Sequence, residues 1–564
     1  MHRPTVRPNL MRRGGALAAA LAALVCASTE AVPPGAGLTR SLPLTLRSRV
    51  ESPSLGGAAR VVEVPAEWDP KRTAIIVCDM WDLHHCLNAV RRVVAMAPRM
   101  DEVLKSARSS GVVIIHAPSG CMDAYADHPA RTRARTAPRS KSLPAGIGQW
   151  CRQIPAEEKD SYPVDQTAGG EDDEPAEHAR WVARLAATGR NPRAPWKSQT
   201  DKLTIDAAAD YISDSGEEIW SVLEDRGIDN VILTGVHLNM CVLGRPFGLR
   251  QLAKNGKTVA LLRDLTDTMY DPRQAPYVSH FTGTDRMVEH VERHVCPSLT
   301  SDQLIGGKPF RFPGDTRPHV VFVVADDEYK TETTLPPFAA THLGKDYRVS
   351  FVFDRAGGKN ELTGLGALED ADMMVVSARR RVLPAAQLAA VRRFVGAGKP
   401  VVGIRTASHA FAARAGAAVP EGHAVWDGFD AEVLGGHYVN HFKAGPKVAV
   451  ATAPEAASHP ILTGVDVSAL SGHGALYKVT PLAASATPLL TGTIPETPSE
   501  PIAWTNLTAT GGRVVYTSLG HPDDFAEPSF QRLLRNAIDW AAGRDVPVKA
   551  EVASDRPIAF PGSK

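Results

Sequence analysis

Past Cys296 the chain contains no cysteine, so the last 268 of its 564 residues offer no thiol for catalysis, metal binding or a disulfide. No CxxC pair occurs anywhere, which excludes the usual ligand spacing of a structural zinc site. No stretch after the N-terminal region reaches the roughly 18 uninterrupted apolar residues that a membrane span needs, so no spanning helix is expected. Charge of one sign is missing too: 63 basic residues face 62 acidic ones, a formal net charge of +1. No basic stripe interleaved with aromatics runs along the chain, and nucleic acid is therefore not an expected partner. A small-molecule substrate is the partner class that remains.

What is present is an ordinary globular composition, 43% hydrophobic and 22% charged, on a chain too long for a single core. The N-terminus reads as an export signal over residues 1–31. A basic stretch at 2–13 precedes an apolar run at 16–27 and small residues at 27–31, which implies a periplasmic or extracellular protein. Removal of that segment takes Cys26 with it and leaves Cys78, Cys86, Cys121, Cys151, Cys241 and Cys296. An oxidising compartment permits disulfides among these, although a nucleophilic cysteine has to stay free.

Short apolar runs alternate with helical periodicity, the pattern of a parallel sheet covered by helices. The fold class expected is α/β: two different three-layer αβα domains with mainly parallel sheets. The first domain spans 60–305, with strands at 73–78, 112–116, 230–234 and 258–262. Helices are expected at 89–109, 216–226, 241–255 and 285–295, with Pro98 breaking or kinking the first of them. Between 120 and 200 the periodicity weakens, and this insertion reads as a partly helical cap. A Gly- and Pro-containing linker at 306–317 leads to a second domain at 318–543, which alternates again through 319–325, 349–353, 373–377, 400–404 and 514–518. A tail follows at 544–564.

Asp79 ends the first strand, and in an open parallel sheet that end faces the ligand crevice. Cys241 follows a later strand and is expected to open a helix, whose positive end lowers a thiol pKa and whose free amides can hold an oxyanion. Taken singly, Asp79 can be a turn residue and Cys241 a packed apolar one. Together the segments strand-Asp79-Met80-Trp81-Asp82 and strand-Gly235-Val236-x-x-Asn239-x-Cys241-Val242 resemble the isochorismatase-like cysteine hydrolases, which include nicotinamidases and carbamoyl amidohydrolases. Arg263-Asp264-Leu265-Thr266-Asp267 resembles the end of the family's following strand.

The resemblance implies an aspartate, lysine and cysteine triad: Asp79, Cys241 and Lys202, 39 positions before the cysteine, with Lys197 the other lysine at hand. It also implies a cis peptide between Val236 and His237 and a thioester on Cys241. Trp81, His116, His237 and Asn239 are the residues expected to contact substrate. No cofactor is required, although Asp82, His84 and His85 could ligate a divalent metal, as in some nicotinamidases.

The second domain resembles the trehalose-utilisation-like branch of the class I glutamine amidotransferase fold. The segments that carry this are Gly403-Ile404-Arg405-Thr406-Ala407-Ser408-His409, Gly435-Gly436-His437-Tyr438, His459-Pro460-Ile461-Leu462 and Tyr516-Thr517-Ser518-Leu519-Gly520-His521. A glutaminase of that fold needs a cysteine after the strand ending at Ile404; none exists, so glutamine hydrolysis by that route is excluded. A pocket holding His409, His437 and His521 then either binds a polar ligand or is structural. The reading for the whole chain is an exported cysteine hydrolase acting on a small amide-like substrate. The alternative is a non-catalytic, two-domain ligand-binding protein related to carbohydrate. A homo-oligomer is left open.

Overall fold

Alternation along Thr73–Cys78 sends its side chains into two different cores, as a strand buried on both faces requires. Ala74, Ile76 and Cys78 join one cluster, with Trp220, Leu223 and Met287. Ile75 and Val77 join the other, with Met96, Met100 and Val103. The computed structural model describes residues 41–51, 59–549, 552–554 and 556–561. The expected export signal lies outside them.

The first sheet contains β1 (Leu42–Glu51), β2 (Ala59–Trp68), β3 (Thr73–Cys78), β4 (Val113–Ala117), β5 (Tyr211–Ile212), β6 (Asn230–Val236), β7 (Thr258–Asp267) and β8 (Ser298–Leu299). Its order is β2-β1-β8-β7-β6-β3-β4-β5, parallel from β8 to β5, with β1 and β2 antiparallel at the edge. Helix Leu87–Ser109 covers one face, and helices Gly216–Asp225 and His280–His294 cover the other.

Three sequence expectations are corrected here. The first domain, expected from residue 60, is preceded by Leu42–Glu51, the β1 strand of an edge hairpin. Helix Leu87–Ser109 runs through Pro98 without a break. The helix expected at 241–255 is instead a single wide turn, Leu238–Val242, followed by a short helix, Leu249–Lys254. Pro246 and Gly248 stand between the two, and proline cannot donate the hydrogen bond that would carry one into the next.

The second sheet has ten strands, parallel across Arg348–Arg355, His319–Ala325, Met373–Ala378, Val401–Ile404 and Arg513–Thr517 and antiparallel at both edges. Val320, Phe322 and Val324 face one core, with Leu335 and Phe530. Val321 and Val323 face another, with Leu388 and Val391. Both sheets belong to one body, Arg40–Lys564. Its halves are tied by Arg60 to Asp354 (3.1 Å) and by the Ser279 amide to the Gly344 carbonyl (3.2 Å). The tail adds to this: the Ala553 amide bonds Thr341, the Ser554 amide bonds Pro276, and the Ile558 carbonyl accepts from the Tyr162 amide.

The insertion is irregular but packed. It holds helices Pro129–Thr136 and Pro175–Ala187, and buries Ile147, Tyr162, Val164 and Trp181.

Candidate active site

β3 and β6 are neighbours in register, Cys78 opposite Gly235, so the residues that leave their C-terminal ends start side by side. Gly235 (φ 104°) is required there, because a Cβ would meet the Cys78 carbonyl oxygen at 2.0 Å. Asp79 breaks β3 in the left-handed region (φ 48°), a conformation that aspartate tolerates better than most residues. On the β6 side the Val236–His237 peptide is cis, and the turn Leu238–Val242 then presents Cys241.

The two side chains meet. The Asp79 carboxylate and the Arg245 guanidinium are the two charges that act most strongly on the Cys241 thiol. Asp79 is fully buried; its Oδ1 accepts from the Ser119 amide (2.7 Å), and its Oδ2 lies 3.2 Å from Arg245 Nε and Nη2. Burial pushes the Asp79 carboxyl up, with Arg245 pulling it back. Burial first, then Asp79, raises the Cys241 thiol well above its usual range, while Arg245 opposes. The resting thiol is therefore neutral, beside a carboxyl group held by an arginine. Cys78 is wholly buried beside Asp79, and Cys241 is buried too, with 7% of its surface exposed. All six described cysteines are free.

The cation of the site is Arg245, not Lys202. Lys202 is exposed, and its ammonium lies 3.9 Å from Asp201, while Lys197 is exposed as well. Sequence reasoning looked only to lysines for the cation; the position of Arg245 one turn after Cys241, on the same face of the helix expected there, was the available signal. Without a regular helix, the local positive charge on the thiol comes from this side chain rather than from a macrodipole.

The other expected contacts divide. His116 is buried with both ring nitrogens used, Nδ1 on Gln199 Oε1 and Nε2 on Asp210 Oδ2 (both 3.1 Å), so it holds the scaffold and has no nitrogen left for substrate. Asn239 is likewise consumed: its Nδ2 donates to the Met269 carbonyl (2.8 Å) and its Oδ1 accepts from the Met269 amide (2.9 Å). Trp81 donates to the Ser119 carbonyl (3.1 Å) and stacks on Trp196, centroids 4.4 Å apart, forming a wall. His237 is buried, its pKa is lowered to about 4 by burial, and its Nε2 has no partner. Ser119 Oγ and Gln199 Nε2 are buried without partners as well. Sequence reasoning singled out neither residue.

Asp82, His84 and His85 do not form a ligand set. Asp82 is spent on Arg190 (2.9 Å) and on the amides of Leu83 and Lys197. His84 Nδ1 accepts from the Cys86 amide (3.1 Å), and His85 pairs with Glu171 (3.2 Å). Adjacent residues on a loop simply turn their side chains to different neighbours. Among the described residues two other groups, Asp160/His290/His294 and Cys86/Asp172/Asp173, bring ligating atoms within 4.8 Å of one another.

The insertion packs against the turn that follows the nucleophile. Trp150 lies under the Arg245 guanidinium at 5.2 Å and so close to Gly244 that any side chain there would collide with its ring. The Cys151 amide bonds the Gly244 carbonyl (2.8 Å).

In the second sheet the place of a glutaminase cysteine is taken by Arg405, again at a strand end with positive φ (44°). Its guanidinium is buried between Tyr329 and Tyr477, at 4.2 and 4.7 Å. Beside it a cleft of about 260 Å³ is lined by His409, His441, His473, His521 and Arg380, among others. His437 is not among the lining residues; its side chain is largely exposed and pairs with Asp430.

Residues 315–541 match the family model described as "ThuA: Trehalose utilisation". Among curated proteins none matches the chain. Of solved structures, a ThuA-like protein from Bacteroides uniformis aligns at 17% identity over 42% of this chain and 97% of its own, TM-score 0.31. A cysteine hydrolase from Pseudomonas syringae aligns at 17% over 42% and 92%, TM-score 0.26. The N-carbamoylsarcosine amidase of Thermoplasma acidophilum aligns at 16% over 36% and 87%, TM-score 0.20. The second α/β unit of this chain, residues 315–541, is a ThuA domain.

Proposed function

We propose that the first α/β unit is a cysteine hydrolase that cleaves a small amide-like substrate through a thioester on Cys241. The observation that carries this is the convergence of a free thiol with a fully buried carboxylate that is itself pinned by Arg245 and the Ser119 amide. On substrate binding Asp79 takes the thiol proton, and the thiolate attacks the carbonyl carbon. The C–N bond breaks, the amine leaves with that proton, and water then cleaves the thioester. Arg245 keeps Asp79 aligned throughout. Ser119 Oγ, Gln199 Nε2 and His237 Nε2, polar atoms with no protein partner, supply hydrogen bonds for a small polar substrate under the Trp81/Trp196 wall.

The test is a panel of small amides against wild type and Cys241→Ala: turnover in the former and none in the latter is the result required. Export is part of the proposal and rests on the 2–31 pattern alone; N-terminal sequencing of the mature protein from a secreting host decides it. A second, binding-only reading applies to the ThuA domain, whose histidine-lined cleft suits a polar ligand.

A further inference from the structure

Beside the cleft of the ThuA domain lies a charge that nothing in the protein balances. Arg405 is buried to 2% exposure, yet no carboxylate pairs with it among the described residues. Its guanidinium donates to the Ser518 and Ala475 carbonyls and to the Tyr329 hydroxyl (3.0 Å), all neutral groups, and Nε has no partner. A buried cation is costly unless it is opposed, and the faces of Tyr329 and Tyr477 oppose it only in part. Tyr329, Gly474, Ala475 and Tyr477, which surround this guanidinium, all line the cleft, and a Cβ at Gly474 would strike Arg405 Nη2. The cation therefore stands directly behind the cleft wall.

The lining adds to that charge. Besides histidines, its charged residues are Arg379, Arg380 and Glu328. Glu328 is paired with Arg379 at 2.5 Å, which leaves Arg380 in excess. Arg380 donates to the Ala413 carbonyl (3.0 Å) and has no carboxylate partner among the described residues. Two buried carboxylates near the cleft are already occupied. Asp326 accepts from Thr406 and from the amides of Glu328 and Tyr329, and Asp524 from His473 and from the amides of Gly520 and His521. In a cleft walled by protein, two cations without counter-charges select a negative ligand.

His473 sets a second requirement. Its Nδ1 lies 2.8 Å from Oδ1 of Asp524, which is fully buried. A carboxylate can only accept, so Nδ1 carries the hydrogen, and in the neutral ring Nε2 keeps a lone pair. The ring lines the cleft and keeps 15% exposure. Because its Nδ1 edge faces a buried group, the exposed part is the Nε2 edge, which has no protein partner. That lone pair takes a hydrogen from a hydroxyl, not from a second anion.

We propose that this cleft binds a small hydroxylated acid, its carboxylate or phosphate held by Arg380 in the field of Arg405 and one of its hydroxyls donating to His473. This rests on the cleft being a ligand site and narrows the ligand from polar to anionic. An uncharged sugar would leave both arginines unopposed.

The experiment is calorimetry on full-length Cys241→Ala protein, in which the hydrolase nucleophile is gone, with D-gluconate, glucose 6-phosphate and uncharged glucose as probes. At least one acid should bind saturably and glucose at least roughly tenfold more weakly, since glucose makes no charge-assisted bond. The tighter of the two acids distinguishes carboxylate from phosphate. Adding Arg380→Gln should weaken acid binding by roughly tenfold or more, with the thermal midpoint reporting that the variant is folded. Should it fail to fold, the salt dependence of the parent protein decides: affinity for the acid must fall as salt is added. Glucose binding as tightly as the acids, or unchanged acid affinity in folded Arg380→Gln, overturns the anionic ligand and leaves the cleft a ligand site. No saturable binding of any of the three overturns both.

Discussion

Replacing Arg245 by glutamine leaves the Asp79 carboxylate buried without its cation. Two unit charges 3.2 Å apart attract by about 5 kcal/mol at an effective dielectric constant of about 20. The Arg245 side chain retains 27% exposure, so solvent screens part of this, and loss of one partner of a buried pair costs about 3–5 kcal/mol. We take about 3 kcal/mol for the charge, and about 1 kcal/mol more for the lost stacking on Trp150. Only the first part depends on pH. Asp79 has a folded-state pKa above its unfolded one, so its contribution favours the fold below the ordinary aspartate value of about 3.9 and is lost as pH rises through the raised folded value. Arg245→Gln raises that folded value further. The variant's deficit therefore opens as the pH rises through the wild type's raised folded value and closes in acid, where Asp79 is protonated in both proteins. Urea unfolding of wild type, Arg245→Gln, Asp79→Asn and the double variant at several pH values measures this, on the transition that responds to Asp79→Asn. Adding Asp79→Asn should restore most of the stability lost in Arg245→Gln at neutral pH. A deficit that is independent of pH, or that Asp79→Asn does not relieve, refutes the ion-pair account of the site.

Asn239→Ala should cost about 2 kcal/mol, because the Met269 backbone is left with a buried unpaired amide and carbonyl; the thermal midpoint reports it. Glu157, held down to about 2, stabilises the fold at any pH above its unfolded value of about 4.3 and loses that contribution as pH falls toward 2. Glu157→Gln should therefore lower stability at neutral pH and narrow the gap to wild type in acid-unfolding curves. Lys202→Ala should leave kcat/KM for any turned-over amide within about twofold of wild type; a loss of roughly a hundredfold or more would return Lys202 to the site.

The parallel core of the first unit was legible because its strands are continuous apolar runs ended by turn residues: 73–78 and the starts of β6 and β7 coincide with the structure. Asp79 and Cys241 could be singled out because a strand end in such a sheet has one functional side. What was not legible depends on partners distant in the chain. Whether His116 is free or satisfied is decided by Gln199 and Asp210, more than eighty residues on. Asn239 has the look of a substrate ligand until Met269 is placed against it. Arg245, one turn after Cys241, was passed over because the family pattern pointed to a lysine upstream. The edge hairpin at 42–68 was obscured by its exposed face, where partly polar residues dilute the alternation.

The central claim is that Cys241 becomes acylated. Acid-quenching wild-type protein during turnover of an ester or amide found in the panel, then mapping the digest by mass spectrometry, tests it directly. The account predicts the substrate's acyl mass on the peptide that contains Cys241, absent from Cys241→Ala and accumulating in a variant slow in deacylation. Turnover that persists in Cys241→Ala, or an acyl group on another residue with Cys241 unmodified, contradicts it.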